Sequence, residues 1–287
     1  MNIYITGLGS GYEVEHLVRL FYPMAPLTRT PPEDGADCVW AEKRPYKLWA
    51  MVRQGGKSRT VEAPRPIPVE EGGETPEFAL ASLTYDLLRS WTGIRPPWGK
   101  MTGVRPVRLV HDKRAAGWTE EAIDDFFLKR FDCSPEKYGM AKAIADLQEP
   151  ILKAGSAPKT YSLYIGIPFC PSRCSYCSFV SCNLDRDRKL VQPYVDCLCK
   201  EVEAIRDEAD KAGLKLCSIY IGGGTPTSLS AAQLRQLMGT VRDCFDLSAI
   251  VEYTVEAGRP DCTDAEKLAV IREYGATRIS INPQTFS

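Results

Sequence analysis

The sequence is poor in histidine. His16 and His111 are its only two, and neither has a second metal-ligating residue at a suitable spacing, so both read as structural. It also lacks any apolar run long enough to span a bilayer, which excludes a transmembrane helix. The opening "MNIYITGLGSGYEVEHL" has neither the cationic stretch nor the apolar core of a signal peptide. Charge of one sign is missing too: the formal net charge is −1 and the pI about 6.2, which gives no general attraction to nucleic acid or anionic membrane. The expectation is a cytoplasmic protein with no membrane partner. Cysteine, by contrast, is plentiful, with eleven in 287 residues. In a reducing compartment that number argues against a disulfide framework and for metal binding or plain buried thiols.

The pattern along the chain predicts three regions. Residues 1–63 read as a small α+β domain: the strand "NIYITGL", the amphipathic helix "YEVEHLVRLFY", the strands "DCVWAE" and "YKLWAMVRQ", a turn at Gly55–Gly56, and "KSRTVEA". Residues 64–160 read as a linker followed by a helical region. The linker "PRPIPVEEGGETP" is rich in Pro, Gly and Glu. Thr75, Thr119 and Ser134 are candidate caps, with Pro76 at a first helical position and Gly93 as a stop. Between the first two helices, Arg95, Lys100, Arg105, Arg108, Lys113 and Arg114 face a single acid, Asp112. This segment could bind anions, but charge runs are usually solvated, and Glu120, Glu121 and Asp124 are nearby partners. Residues 161–287 alternate strand and helix, which argues for a parallel α/β sheet.

The chemistry gathers in "IPFCPSRCSYCSF", Ile167 to Phe179, where Cys170, Cys174 and Cys177 fall within one loop. C-x3-C-x2-C is not the paired layout of a structural zinc site, which wants four closed ligands. Three thiolates on a cube of four irons leave one iron open to a reactant, so the loop favours an iron–sulfur cluster, with zinc the alternative. Cys182 is the nearest fourth thiol and reads as free. Cys38, Cys133, Cys197, Cys199, Cys217, Cys244 and Cys262 read as small hydrophobes. Downstream, "IYIGGGTPTSL" places three glycines at a strand end, where backbone can approach a ligand closely. A tight βα turn is the simpler alternative, and a phosphate cradle is disfavoured because no G-K-[ST] follows.

Taken in order, "CPSRCSYC", "GGGTP", "VEAGRP" and "SINPQTF" resemble the radical S-adenosylmethionine (SAM) superfamily. Within it, "YIGIPFC", "IYIGGGTPT" and "RISINPQTF" are similar to the oxygen-independent coproporphyrinogen III oxidases. The segment "TGIRPPWGKMTGVRPVRL" resembles the branch of coproporphyrinogen dehydrogenases with an extra N-terminal region. The resemblance implies a partial (β/α) barrel behind the α+β unit and helical segment. It ends after four strands, which suggests a C-terminally truncated chain. It implies a 4Fe–4S cluster on Cys170, Cys174 and Cys177, with the open iron chelated by SAM. Gly223, Gly224 and Thr225 would line the methionine end, with Tyr164 and Tyr176 as aromatic neighbours of the cluster and adenine. Glu256 and Gln284 would be polar contacts to SAM. One electron into the cluster would cleave SAM to a 5′-deoxyadenosyl radical.

The implied reaction is oxidative decarboxylation of coproporphyrinogen III to protoporphyrinogen IX, fed by a low-potential donor such as flavodoxin or ferredoxin. Many such oxidases carry a fourth cysteine two residues after the third, where this sequence has Phe179. The heme-chaperone-like branch also has Phe there, so a heme-binding protein is the first alternative. A radical SAM enzyme acting on RNA, docked through the N-terminal unit and the basic segment, comes last.

Overall fold

The computed structural model describes residues 1–67, 69 and 73–282. Gln284 and part of the expected linker lie outside them. The chain divides into two compact units, Met1–Asp146 and Leu147–Ser287.

The first unit begins with β1 (Asn2–Thr6), α1 (Tyr12–Arg19) and β2 (Leu27–Thr28), then β3 (Cys38–Lys43), β4 (Lys47–Gln54) and β5 (Lys57–Pro64). The sheet order is β2-β1-β3-β4-β5, parallel at β1 and antiparallel from β3 to β5. Gly55 and Gly56, both with positive φ, make the β4–β5 turn that the sequence signals. Strand alternation puts Ile3, Val39, Ala41, Leu48, Ala50 and Val52 on one buried face.

Two helices cover that face. α1 contributes Val14, Leu17 and Val18; α2 (Pro76–Thr92) contributes Leu80, Ala81, Tyr85, Leu87 and Leu88. The first core thus takes in a helix from the region expected to begin at residue 64. The α2 ends match the sequence signals. Thr75 Oγ1 accepts from the Phe78 N–H at 3.2 Å, Pro76 opens the helix, and Gly93 closes it at φ 72°.

α3 (Pro106–Ala115), α4 (Glu120–Asp125) and α5 (Pro135–Gly155) follow, α4 continuing as a π-type turn over Phe126–Arg130. They enclose a second small core of Met101, Val110, Ile123, Phe127, Cys133, Tyr138 and Ala145. Thr119 and Ser134 accept from Ala122 N and Lys137 N, as their positions predict. α3 was not signalled by periodicity, because it buries only Val110. The basic segment is largely neutralised: Arg95 pairs with Asp132, Lys100 with Asp86, Arg108 with Asp112, and Arg114 with Glu120 and Asp146. Four of the six cations are thus paired internally, Arg114 with Glu120 as expected and the others with Asp132, Asp86 and Asp112.

The second unit carries β6 (Thr160–Ile167), β7 (Phe169–Cys170), β8 (Cys182–Asn183), α6 (Leu184–Asp187) and α7 (Val191–Lys211). It continues with β9 (Lys215–Gly223), α8 (Ala231–Cys244), β10 (Glu252–Glu256), α9 (Ala265–Glu273) and β11 (Arg278–Ser280). Four of the strands form a parallel sheet, β11-β10-β9-β6. Its Leu163, Ile165, Ile167, Ile219, Ile221, Tyr253 and Val255 pack with apolar residues of α7, α8 and α9. The alternation of period two turns Tyr164, Tyr220, Glu256 and Ser280 to the opposite face. This face is polar, with Ser218 Oγ donating to Ser162 Oγ at 2.8 Å and Arg278 paired with Glu252 at 2.7 Å. A parallel sheet buried on both faces would read as hydrophobic on both. The mixed α/β class and the parallel sheet agree with the expected fold.

Candidate functional site

The parallel register brings the strand ends together. Ile167 pairs with Gly223 and Glu256 with Ser280, so the residues following β6, β9, β10 and β11 all emerge at one edge. That is the edge at which open α/β sheets bind ligands. A cavity of about 220 Å³ lies there, and its walls include all three loop cysteines, Tyr176, Phe179, Gly223, Gly224, Thr225, Glu256 and Arg259.

The cysteine loop is closed by an element too short for periodicity to reveal. β7 and β8 pair in parallel, Phe169 with Cys182 and Cys170 with Asn183, and the Cys182 N–H donates to Pro168 O at 2.7 Å. Cys182 thus sits in the strand pair that closes the loop, and it is not on the cavity wall. Inside the loop the Cys177 N–H donates to Cys174 O at 3.0 Å. Among the described residues, no three Cys, His, Asp or Glu side chains converge on a point that a single ion could occupy. A cubane takes one thiolate per iron, so its ligands surround it and need not converge.

The glycines pack directly against this loop. The Gly224 N–H donates to Ile167 O at 2.7 Å. A Cβ on Gly224 would stand 2.9 Å from Phe169 O, closer than real contacts allow, and a tight 3.0 Å from Cys170 Sγ. Gly223 sits at φ +111°, a conformation open to glycine, and a Cβ there would crowd Ile167 N and O at 3.0 Å. Thr225 is buried, with its Oγ1 at 3.4 Å from Cys170 Sγ. Gly223, Gly224 and Thr225 therefore form one wall of the cysteine cavity. Three soft thiols and a side-chain-free cradle beside them suit a thiolate-held group with a small polar ligand next to it.

Glu256 ends β10 on the cavity wall. Tyr220 Oη donates to its Oε1 at 2.6 Å, and this bond, with burial, pushes the Tyr220 hydroxyl up to about 12. A Cβ on Gly222 would lie 2.7 Å from the Tyr220 ring and 3.1 Å from Glu256 Oε2, so this glycine lets the pair close. Tyr164 stacks on Tyr220, with centroids 5.8 Å apart and planes at 13°. It is 61% exposed and, like Tyr220, is not on the cavity wall. Tyr176 stands on the cavity wall, and its hydrogen bond with Cys174 pushes its hydroxyl pKa up. Phe179 is 64% exposed at the rim.

The structure thus brings together Cys170, Cys174, Cys177, Tyr176, Gly223, Gly224, Thr225 and Glu256, with Tyr164 one shell away. Sequence reasoning missed Tyr220 and Arg259. Tyr220 lies on the Glu256 face by strand alternation, and Arg259 follows Glu256 in the quoted "VEAGRP".

Residues 164–287 match the profile of the Radical SAM superfamily. This chain belongs to that superfamily. Membership brings a 4Fe–4S cluster and SAM as cofactors, which the thiols and the glycine cradle fit. The chain is 38% identical over 214 residues to the oxygen-independent coproporphyrinogen-III oxidase-like protein HemZ of Bacillus subtilis (strain 168), covering 72% of this chain and 42% of that protein. It is 31% identical over 144 residues to anaerobilin synthase of Escherichia coli O157:H7, covering 50% and 32%. It is 41% identical over 126 residues to the heme chaperone HemW of Bacillus subtilis (strain 168), covering 44% and 32%. The chain spans less than half the length of these relatives. No helix among the described residues is long and apolar enough to cross a membrane.

Proposed function

We propose that this radical SAM protein acts on a tetrapyrrole, as an oxygen-independent coproporphyrinogen III oxidase-like enzyme. Cys170, Cys174 and Cys177 hold the cluster. Gly223, Gly224 and Thr225 receive the methionine end of SAM, and Glu256, oriented by Tyr220, takes hydroxyl or ammonium donors of the same molecule. Tyr176 supplies an aromatic wall, and Tyr164 and Gln284 belong to this set by their motifs. When bound, the reduced cluster and SAM supply a 5′-deoxyadenosyl radical able to abstract hydrogen. The chain's own part is to bind, orient and exclude water. The polar face of the parallel sheet would line the interior of a partial barrel, and a flavodoxin- or ferredoxin-like donor would deliver the electron.

One observation carries the substrate reading. The likeness to the HemZ-type protein covers 72% of the chain, so it extends beyond residues 164–287 into the N-terminal half. The second reading, a heme-binding chaperone, is favoured by Phe179 at the site rim and by the 41% identity to HemW, which covers 44% of this chain. The test is anaerobic reconstitution followed by reductant, SAM and coproporphyrinogen III. Vinyl products with 5′-deoxyadenosine are expected. 5′-Deoxyadenosine without a vinyl product removes the substrate assignment, and stoichiometric heme retention with a Soret band and no turnover supports the chaperone.

A further inference from the structure

Arg259 ties the cysteine loop to the loop after β10. Its side chain is 14% exposed. A guanidinium carries five N–H donors in a rigid fork. Here Nε donates to Asp261 Oδ1 at 2.9 Å, and Nη2 donates to Asp261 Oδ2 and to Ser172 Oγ at 3.2 Å. Nη1 donates to Ser172 O at 3.0 Å and to Cys174 Sγ at 3.7 Å. The five donors thus meet five acceptors. One pair anchors the fork to the loop after β10, and the rest clamp the loop between the first and second cysteines. Ser172 and Cys174 stand 87 and 85 positions before Arg259 in the sequence, so the clamp is a long-range contact.

We propose that Arg259 is a positioning residue that pins the Ser172–Cys174 segment and tunes the cluster through the Cys174 sulfur. The proposal rests on the reading of the three cysteines as cluster ligands. Hydrogen bonds to ligating sulfurs, and positive charge beside them, favour the reduced, more negative cluster and so raise its potential. A lysine could keep the charge but not the fork, since a point charge with three donors cannot grip Asp261, Ser172 and Cys174 together.

The experiment compares wild type, R259M, R259K and D261N after anaerobic reconstitution. It reads iron per chain, midpoint potential, the electron paramagnetic resonance spectrum of the reduced cluster, and the rate of iron loss to a chelator. Circular dichroism confirms that each variant is folded. R259M is expected to shift the midpoint to lower potential, alter the spectrum and lose iron several-fold faster. R259K should restore the midpoint toward wild type while leaving iron loss fast. D261N, which frees the fork from its anchor, should also speed iron loss. A folded R259M whose midpoint, spectrum and iron loss equal those of wild type overturns the proposal. If wild type itself builds no cluster, or builds one equally well with Cys170, Cys174 and Cys177 all changed to Ala, the underlying ligand reading has failed instead.

Discussion

The Tyr220 hydroxyl decides how Glu256 is presented to the cavity. Its 2.6 Å bond to one carboxylate oxygen fixes the other, and Gly222 leaves room for the two to meet. Y220F is expected to weaken SAM affinity about tenfold, the size of one lost hydrogen bond to a charged group. Calorimetric titration of the reconstituted protein checks this, and unchanged affinity would remove Tyr220 from the site. The bond also has a defined pH range. Its acceptor holds the Tyr220 pKa above the usual 10, at about 12. The contribution to stability is therefore complete below pH 10 and lost as the pH rises to about 12. Gly224 makes a second prediction. G224A forces a methyl against Phe169 O and Cys170 Sγ and should cost about 1–3 kcal/mol, with reduced iron uptake on reconstitution. Glycine's tolerance at this strand end was legible from sequence, but the partner it approaches was not, because Cys170 is more than fifty residues away.

Among the elements, the long ones were legible and the short ones were not. β6, β9 and β10 follow apolar alternation, and α7, α8 and α9 fall where the strand–helix rhythm places helices. Ser230 makes a full capping box with Gln233 at the start of α8, and S230A should lower thermal stability by about 1 kcal/mol without altering iron content. The two-residue strands β7 and β8 have no periodicity to read, yet their pairing closes the cysteine loop. α3 was hidden by cations and prolines that left it a single buried residue. The Arg259 clamp was invisible for another reason: it joins a side chain to backbone and thiol groups across loops, and no spacing rule encodes such contacts. Gln284 stays a motif-based expectation, outside the described residues.

For the whole molecule, net charge near zero and extensive internal pairing leave the basic segment a poor polyanion surface. This sets the RNA reading behind the tetrapyrrole one. RNA binding should be weak and unaffected when Arg95 and Arg108 are changed to Ala, as a filter-binding salt series would show. The central claim is that three cysteines hold a 4Fe–4S cluster whose remaining iron is closed by SAM. Electron paramagnetic resonance of the reduced, reconstituted protein, recorded with and without SAM, tests it most directly. The account predicts a 4Fe–4S signal whose g-values shift when SAM is added, and loss of that signal in C170A, C174A and C177A but not in C182A. A signal that ignores SAM, or one that survives in all three variants, would contradict it.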